Sequence, residues 1–330
     1  IILFLVGFDQ KYRIGTFQIP STFPHQNSLS LYLEQYGLLA LGVLMNEDIS
    51  KKLFLLSMVA FGGSVVLIIF TYSRGGLVIY FGGIALICAL SILLNGFSVR
   101  RLTLMLIGLL VMLSVVGYAL PRIIQRFTKA PETSKNTRIA LAIASKQIAN
   151  DYRFGVGANN YSEYSGSNYS YTEQPNYRPP GPRGGIVETI YLLVAAECGW
   201  YGMVLLILWF LYYYFSIIIS MFVLKKKPCC GIMIGAFGGL TCNYWHSTLE
   251  WSLKQYNNFA GQMIFYALIG VIAVHRKEIK AYYQKTLAQK KLQRKRGKPV
   301  SLPPITSYGD KEEPLPETPT PTPSPQEPQE

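Results

Sequence analysis

Apolar runs of about 20 residues, the length that crosses ~30 Å of hydrocarbon, recur along this chain. They lie at roughly 29–46, 53–70, 77–95, 102–120, 200–224, 231–249 and 258–275. Each predicts a membrane-spanning helix. The opening stretch IILFLVGF reads as the tail of a further span, so upstream helices are expected before it. The pattern breaks once, between Pro121 and Glu188, where the apolar runs stop and a segment rich in Arg, Tyr, Gly and Asn takes over. The reading is an all-α integral membrane protein: a polytopic helix bundle with one large external loop that contains short helices and carries the chemistry.

Five segments follow from this pattern: N-terminal spans over 1–120, the large loop over 121–199, three C-terminal spans over 200–275, a basic juxtamembrane segment over 276–298 and a Pro-rich tail over 299–330. The tail has too few apolar residues to bury a core and is expected to be disordered.

Lys and Arg placement sets the orientation. Lys51-Lys52, Arg100-Arg101, Lys225–Lys227 and the cluster after His275 all fall on one side of the predicted spans, which is then the cytoplasm. The 9–28 loop, the Ser73-Arg74 turn, the 121–199 loop and the 250–257 turn lie outside. Net charge is +13, but His275–Lys298 alone carries ten Lys or Arg against one Glu. Directly after a span, such a segment faces anionic membrane lipid, and no nucleic-acid partner is expected. Cys88 and Cys242 sit in spans, Cys198 beside one, and Cys229-Cys230 on the cytoplasmic side. Without a CxxC or a Cys/His cluster, neither structural zinc nor a disulfide framework is implied. Two idle thiols at Cys229-Cys230 outweigh an acylation site.

Candidate chemistry gathers on the outer side. Arg74, in TYSRGG, ends a span where short loops otherwise carry little positive charge; it either snorkels to headgroups or forks a phosphate pair. Gly75-Gly76 behind it allow another backbone to approach. Asn136-Thr137-Arg138 reads as a helix start, which puts Arg138 in a first turn where N–H donors and the helix dipole favour an anion. Phe154–Tyr161 (FGVGANNY) lacks the strand and helix of a nucleotide loop and reads as a tight turn back to the membrane surface. The six Tyr from Tyr152 to Tyr177 suit stacking on sugars, or form a mobile loop. Glu188 and Glu197 precede a long span, where partial desolvation raises a carboxylate toward the pKa of a general base, unless an Arg pairs with it. His246 and Glu250 share a helical face at i and i+4; His25 is another external titratable group, and Glu34 is the exceptional charge within a span.

Order and spacing of these motifs resemble the O-antigen ligase and polymerase superfamily of bacterial polytopic membrane glycosyltransferases, over about residues 10–274. The carriers are R-x-G-x-F with a following Asn (Arg13, Gly15, Phe17, Asn27), SRGG after a span, the loop TR, GVGANNY with Asn160 and Tyr161, and a Tyr191-Leu192 segment running into AECGWYG. The resemblance implies a GT-C-like bundle in the bacterial inner membrane, with its active face periplasmic and its C-terminus cytoplasmic. The implied activity moves a glycan from a polyprenyl-pyrophosphate carrier to an acceptor hydroxyl of a glycolipid, glycan or protein, without metal or other cofactor. Arg74 and Arg138 would hold the pyrophosphate; Arg13, Asn27, Asn160, Tyr161, Tyr191, His246 and Glu250 would line the substrate. Where the family has His-Asn this chain has Glu188-Thr189, so Glu188 is the base, as its matching position favours, or His246 supplies an imidazole, or the chemistry has diverged. A repeat-unit polymerase or a protein O-oligosaccharyltransferase fits the same frame. A flippase or other transporter fits less well, since no internal repeat is visible and the spans are nearly free of charge.

Overall fold

The computed structural model describes residues 11–295, apart from loop positions 14, 15, 19–22, 24, 48, 129–131, 174, 176, 177, 180, 254 and 255. The opening IILFLVGF and the Pro-rich tail lie outside the described residues. Strands β1 (Lys11–Arg13) and β2 (Thr16–Gln18) form a small antiparallel hairpin with Arg13 opposite Thr16, an addition to the all-α expectation. Helices follow: α1 (Gln26–Leu44), α2 (Lys51–Thr71), α3 (Arg74–Asn95), α4 (Val99–Thr128), α5 (Glu132–Asp151), α6 (Tyr161–Tyr164), α7 (Ile190–Val223), α8 (Pro228–His246) and α9 (Tyr256–Lys295). The chain divides into two units, 1–280 with the bundle and 281–330, whose described part is the end of α9.

Among the described residues, five helices are long and apolar enough to cross a membrane: Lys51–Thr71, Arg74–Asn95, Val99–Tyr118, Ile190–Val223 and Asn258–Gln289. The runs expected at 29–46 and 231–249 correspond to α1 and α8, which fall outside that set. They are the inner pair of the bundle. Helix α1 buries Gln26, Ser28, Ser30, Glu34 and Gln35 along with its leucines. An inner helix faces protein instead of lipid and so tolerates polar groups that a lipid-facing helix does not.

Glycine is what lets α1 and α8 touch. Gly231, Gly235 and Gly239, one turn apart, all face α1; a Cβ at Gly235 would stand 2.8 Å from the Leu39 carbonyl oxygen, and one at Gly239 2.8 Å from that of Gln35. This is the small-xxx-small packing that drives helix association where the surroundings are as apolar as the side chains. Helices α2 and α3 pack on the same pair through Val65, Ile68, Ile69, Leu77, Tyr80 and Ile87. Helix α4 turns most of its apolar side chains outward and runs through Pro121 to Thr128, past the expected span end.

The loops around Glu47, Arg101 and Lys226 meet at one end of the bundle. Arg101 donates to the carbonyls of Met45, Asn95 and Gly96 at 2.7–3.2 Å and pairs with Glu47 at 3.4 Å. Lys226 N donates to Asn95 at 3.0 Å, and Gly231 N to Asn46 at 3.1 Å. At the other end, the large loop is built around the 20-residue α5, longer than the short helices expected. Its own core of Leu141, Ile148, Tyr161, Val187, Ile190 and Leu193 seats it on the outer part of α7. Helix α7 breaks at Gly199 (φ 75°), so 190–198 is an outer segment and the expected span begins beyond the kink.

Gly235→Leu is expected to force α1 and α8 apart and lower stability by about 1–3 kcal/mol. Gly82→Leu, on a face where a Cβ meets nothing within 4 Å, is expected to be neutral. Thermal melting in detergent checks the pair, and equal melting of the two variants would contradict the packing described.

Candidate functional site

At the end of the bundle opposite the basic loops, five segments meet. His25 caps α1 in an extended conformation, its Nδ1 accepting from Asn27 N at 3.3 Å. That fixes Asn27 in the first turn, where its side-chain amide donates to Glu250 Oε1. The SRGG motif is a helix start: Tyr72 ends α2 in the left-handed region (φ 50°), and Ser73 Oγ caps α3 by accepting from Gly76 N at 3.2 Å. Arg74 is exposed, and no described residue forms a hydrogen bond or ion pair with its guanidinium. A Cβ at Gly76 would stand 2.7 Å from Ser30 Oγ, and one at Gly75 3.4 Å from His246 Nε2, so the two glycines seat α3 on α1 and on His246.

Arg138 departs from expectation. Helix α5 begins at Glu132, which puts Arg138 in its second turn, beyond the unpaired N–H groups of the helix start. Its charge is instead met by side chains. Arg138 Nη2 pairs with Glu188 Oε2 and lies 3.8 Å from Glu250 Oε1. The Arg138 and Glu188 side chains are 42% and 36% exposed, while that of Glu250 is only 5% exposed. One guanidinium thus joins a half-exposed carboxylate to a buried one.

Behind Glu250 stands His246, buried at the end of α8, with Nδ1 2.7 Å from Oε1 of the fully buried Glu34. The sequence brings none of these pairs together: Asn27 and Glu250 are 223 positions apart, Glu34 and His246 212. The one advance signal was Glu34 itself, a charge in an apolar run. Glu250, in the turn after α8, has its carboxyl pushed up from the ordinary 4.5 to about 7. Burial is the main cause and the Glu188 charge the second; His246, Asn27 and Arg138 pull the other way.

Other expected site residues serve the loop. Tyr161 is wholly buried and its hydroxyl donates to the Leu141 carbonyl at 2.7 Å, so it pins the loop to α5 and does not line the cluster. Asn160 donates to the Val156 carbonyl within its own turn at 2.9 Å. Gly155 (φ 75°) and Gly199 press the loop onto α7, where a Cβ on either would strike backbone; this is the tight turn back to the bundle that was expected. Glu197 is buried and accepts from Tyr161 N at 3.4 Å. Among the described tyrosines, Tyr164 and Tyr169 stack at 4.5 Å, and Tyr171 donates to Asp151 at 2.7 Å beside a cleft of about 620 Å³. Tyr191, next to Glu188, donates to the Tyr244 carbonyl at 2.9 Å and opens an apolar groove of about 450 Å³ with Phe210, Tyr244 and Trp245. The Arg13 side chain lies outside what is described.

Because the folded protein holds the Glu250 proton more tightly than the unfolded chain does, its stability is greatest below about 4.5 and falls as pH rises to about 7. Glu250→Gln is expected to remove that part of the decline. Melting temperature against pH for the two proteins checks this, and parallel curves would contradict it.

Residues 58–207 match the family model for O-antigen ligase. No curated protein and no solved structure matches the chain. The matched stretch carries Arg74, Arg138, Glu188 and Tyr191 and ends within α7. With five apolar helices among its described residues the chain is an all-α polytopic membrane protein, and its residues 58–207 are similar to the O-antigen ligase family.

Proposed function

We propose that this protein transfers an oligosaccharide from a polyprenyl-pyrophosphate carrier to an acceptor hydroxyl, at the periplasmic face of a bacterial inner membrane, with its C-terminus cytoplasmic. The observation that carries the reading is Arg138 bridging Glu188 and Glu250 at the end of the bundle away from the basic loops. An anion-binding guanidinium and two carboxylates in different surroundings are what glycosyl transfer without a nucleotide sugar requires. The match of residues 58–207 to the O-antigen ligase family supports the reaction class. The apolar groove that starts at Tyr191 suits an isoprenoid chain, and the cleft at Tyr169 and Tyr171 suits sugar rings.

In this reading the donor pyrophosphate is held by Arg74 and Arg138. Taking up Arg138 releases Glu188 from its ion pair, and the freed carboxylate turns to the incoming acceptor. The acceptor oxygen bonds to the anomeric carbon as the bond from that carbon to the phosphate oxygen breaks. Its electron pair goes to the pyrophosphate, and the hydroxyl proton goes to Glu188. The guanidiniums stabilise the charge on the leaving group, and Glu188 contributes the general-base part, typically about 10²–10⁴-fold. Asn27 and Glu250 flank the acceptor side. The acceptor is proposed to be a lipid A core-type sugar.

Arg138→Ala and Glu188→Ala are each expected to reduce transfer by about 10²-fold or more. Both side chains are over a third exposed, and so open an ion pair adds little to stability; melting is expected to stay at the wild-type value. Size-resolved products from a polyprenyl-pyrophosphate-linked oligosaccharide check this. Full transfer by both variants would sink the assignment. In the wild type, a single-step shift of the acceptor marks a ligase and a ladder marks a polymerase.

A further inference from the structure

We infer that Glu34 is a positioning residue of the transfer site, acting through His246. The inference rests on the reading above that transfer takes place at Arg74, Arg138 and Glu188. Glu34 lies within α1, 0% exposed, and His246 is 1% exposed. A carboxylate so far from water persists where a partner compensates it and the site has a use for it. Among the described residues Tyr80 and Cys242 also face Glu34, but His246 is the cation-forming group that meets it, and Glu34 Oε2 has no hydrogen-bond partner there.

The geometry fixes the ring. A carboxylate only accepts, so His246 Nδ1 donates and Nε2 is left for the opposite side. That side is Gly75, directly behind Arg74, where an added Cβ would stand 3.4 Å from Nε2 and 3.2 Å from Leu249 Cδ1. The charges of Arg138 on α5 and of Glu250 in the turn after α8 also act on the ring. The imidazole therefore spans from a buried anchor in α1 to the place where donor and acceptor meet. With the ring charged opposite the Glu34 carboxylate, its Nε2–H is a donor aimed at the incoming hydroxyl oxygen, and it orients that oxygen while Glu188 takes the proton. Glu34 touches no substrate; it keeps the ring charged and still, as outer partners of functional histidines do.

Two measurements test this on the full chain in detergent. The first is the nitrogen-15 spectrum of the imidazole in a His25→Asn/His275→Asn background, which leaves His246 as the remaining histidine of three. Asn preserves the cap of α1. Protons on both ring nitrogens are expected; a neutral ring with either nitrogen bare would overturn the inference whatever the activity. The second is steady-state transfer by Glu34→Gln from a fluorescent polyprenyl-pyrophosphate oligosaccharide to deacylated lipid A core. Here kcat is expected to fall at least about tenfold with KM for the donor unchanged, and Glu34→Asp to recover part of the loss. Wild-type kcat in Glu34→Gln would overturn the positioning role. If Glu34→Gln does not fold, the spectrum of the Glu34 protein still decides. Absence of transfer by the unsubstituted chain would instead defeat the proposed function, leaving the protonation result standing.

Discussion

The contact on which the rest depends is the close approach of α1 and α8. Three glycines on one face of α8 let its backbone lie against the carbonyls of α1, and that closeness sets which side chains can meet at the outer end. Glu34 reaches His246, and Asn27 reaches Glu250. Buried ionisable groups in a membrane bundle are costly when alone and tolerable when paired. The inner pair of helices supplies the pairing by protein contacts, while the outer helices carry the lipid-facing apolar surface.

Around that pair the large loop acts as a structured cap. Its core on the outer part of α7 holds Arg138 over Glu188, and the break at Gly199 separates this cap from the span below. The two carboxylates that Arg138 bridges differ in surroundings: Glu188 is 36% exposed, and Glu250 is buried beside Asn27 and His246. Different surroundings are how a protein assigns different proton affinities to chemically equal groups. The family match ends before His246 and Glu250; the second carboxylate and the imidazole come from a part of the chain beyond it.

Much of the architecture was legible in the sequence because apolar runs, loop charges and small-residue motifs are local signals. The sidedness of the basic loops agrees with Arg101, Asn95, Asn46 and Lys226 meeting at one end. Three things were not legible. The inner position of α1 and α8 depends on which helices surround them, and hydrophobicity alone does not say so. The start of α5 was misplaced because Asn136-Thr137 has the form of a cap, yet the helix already runs from Glu132. The pairing of Arg138 with Glu188 was visible only as one of two options, since residues 50 positions apart meet through tertiary structure. Tyr161 looked like a sugar-facing ring but is the loop's internal anchor, a distinction that burial makes and composition does not.

The most direct test of glycan transfer compares two fates of one donor with the unaltered protein in proteoliposomes. A polyprenyl-pyrophosphate oligosaccharide is supplied with a panel of glycolipid, glycan and protein acceptors, and both its transfer and its movement across the bilayer are followed. Glycan moving onto an acceptor, with release of the polyprenyl pyrophosphate, is the predicted result. No transfer to any acceptor, while the intact donor crosses the membrane, would contradict it and make the protein a transporter.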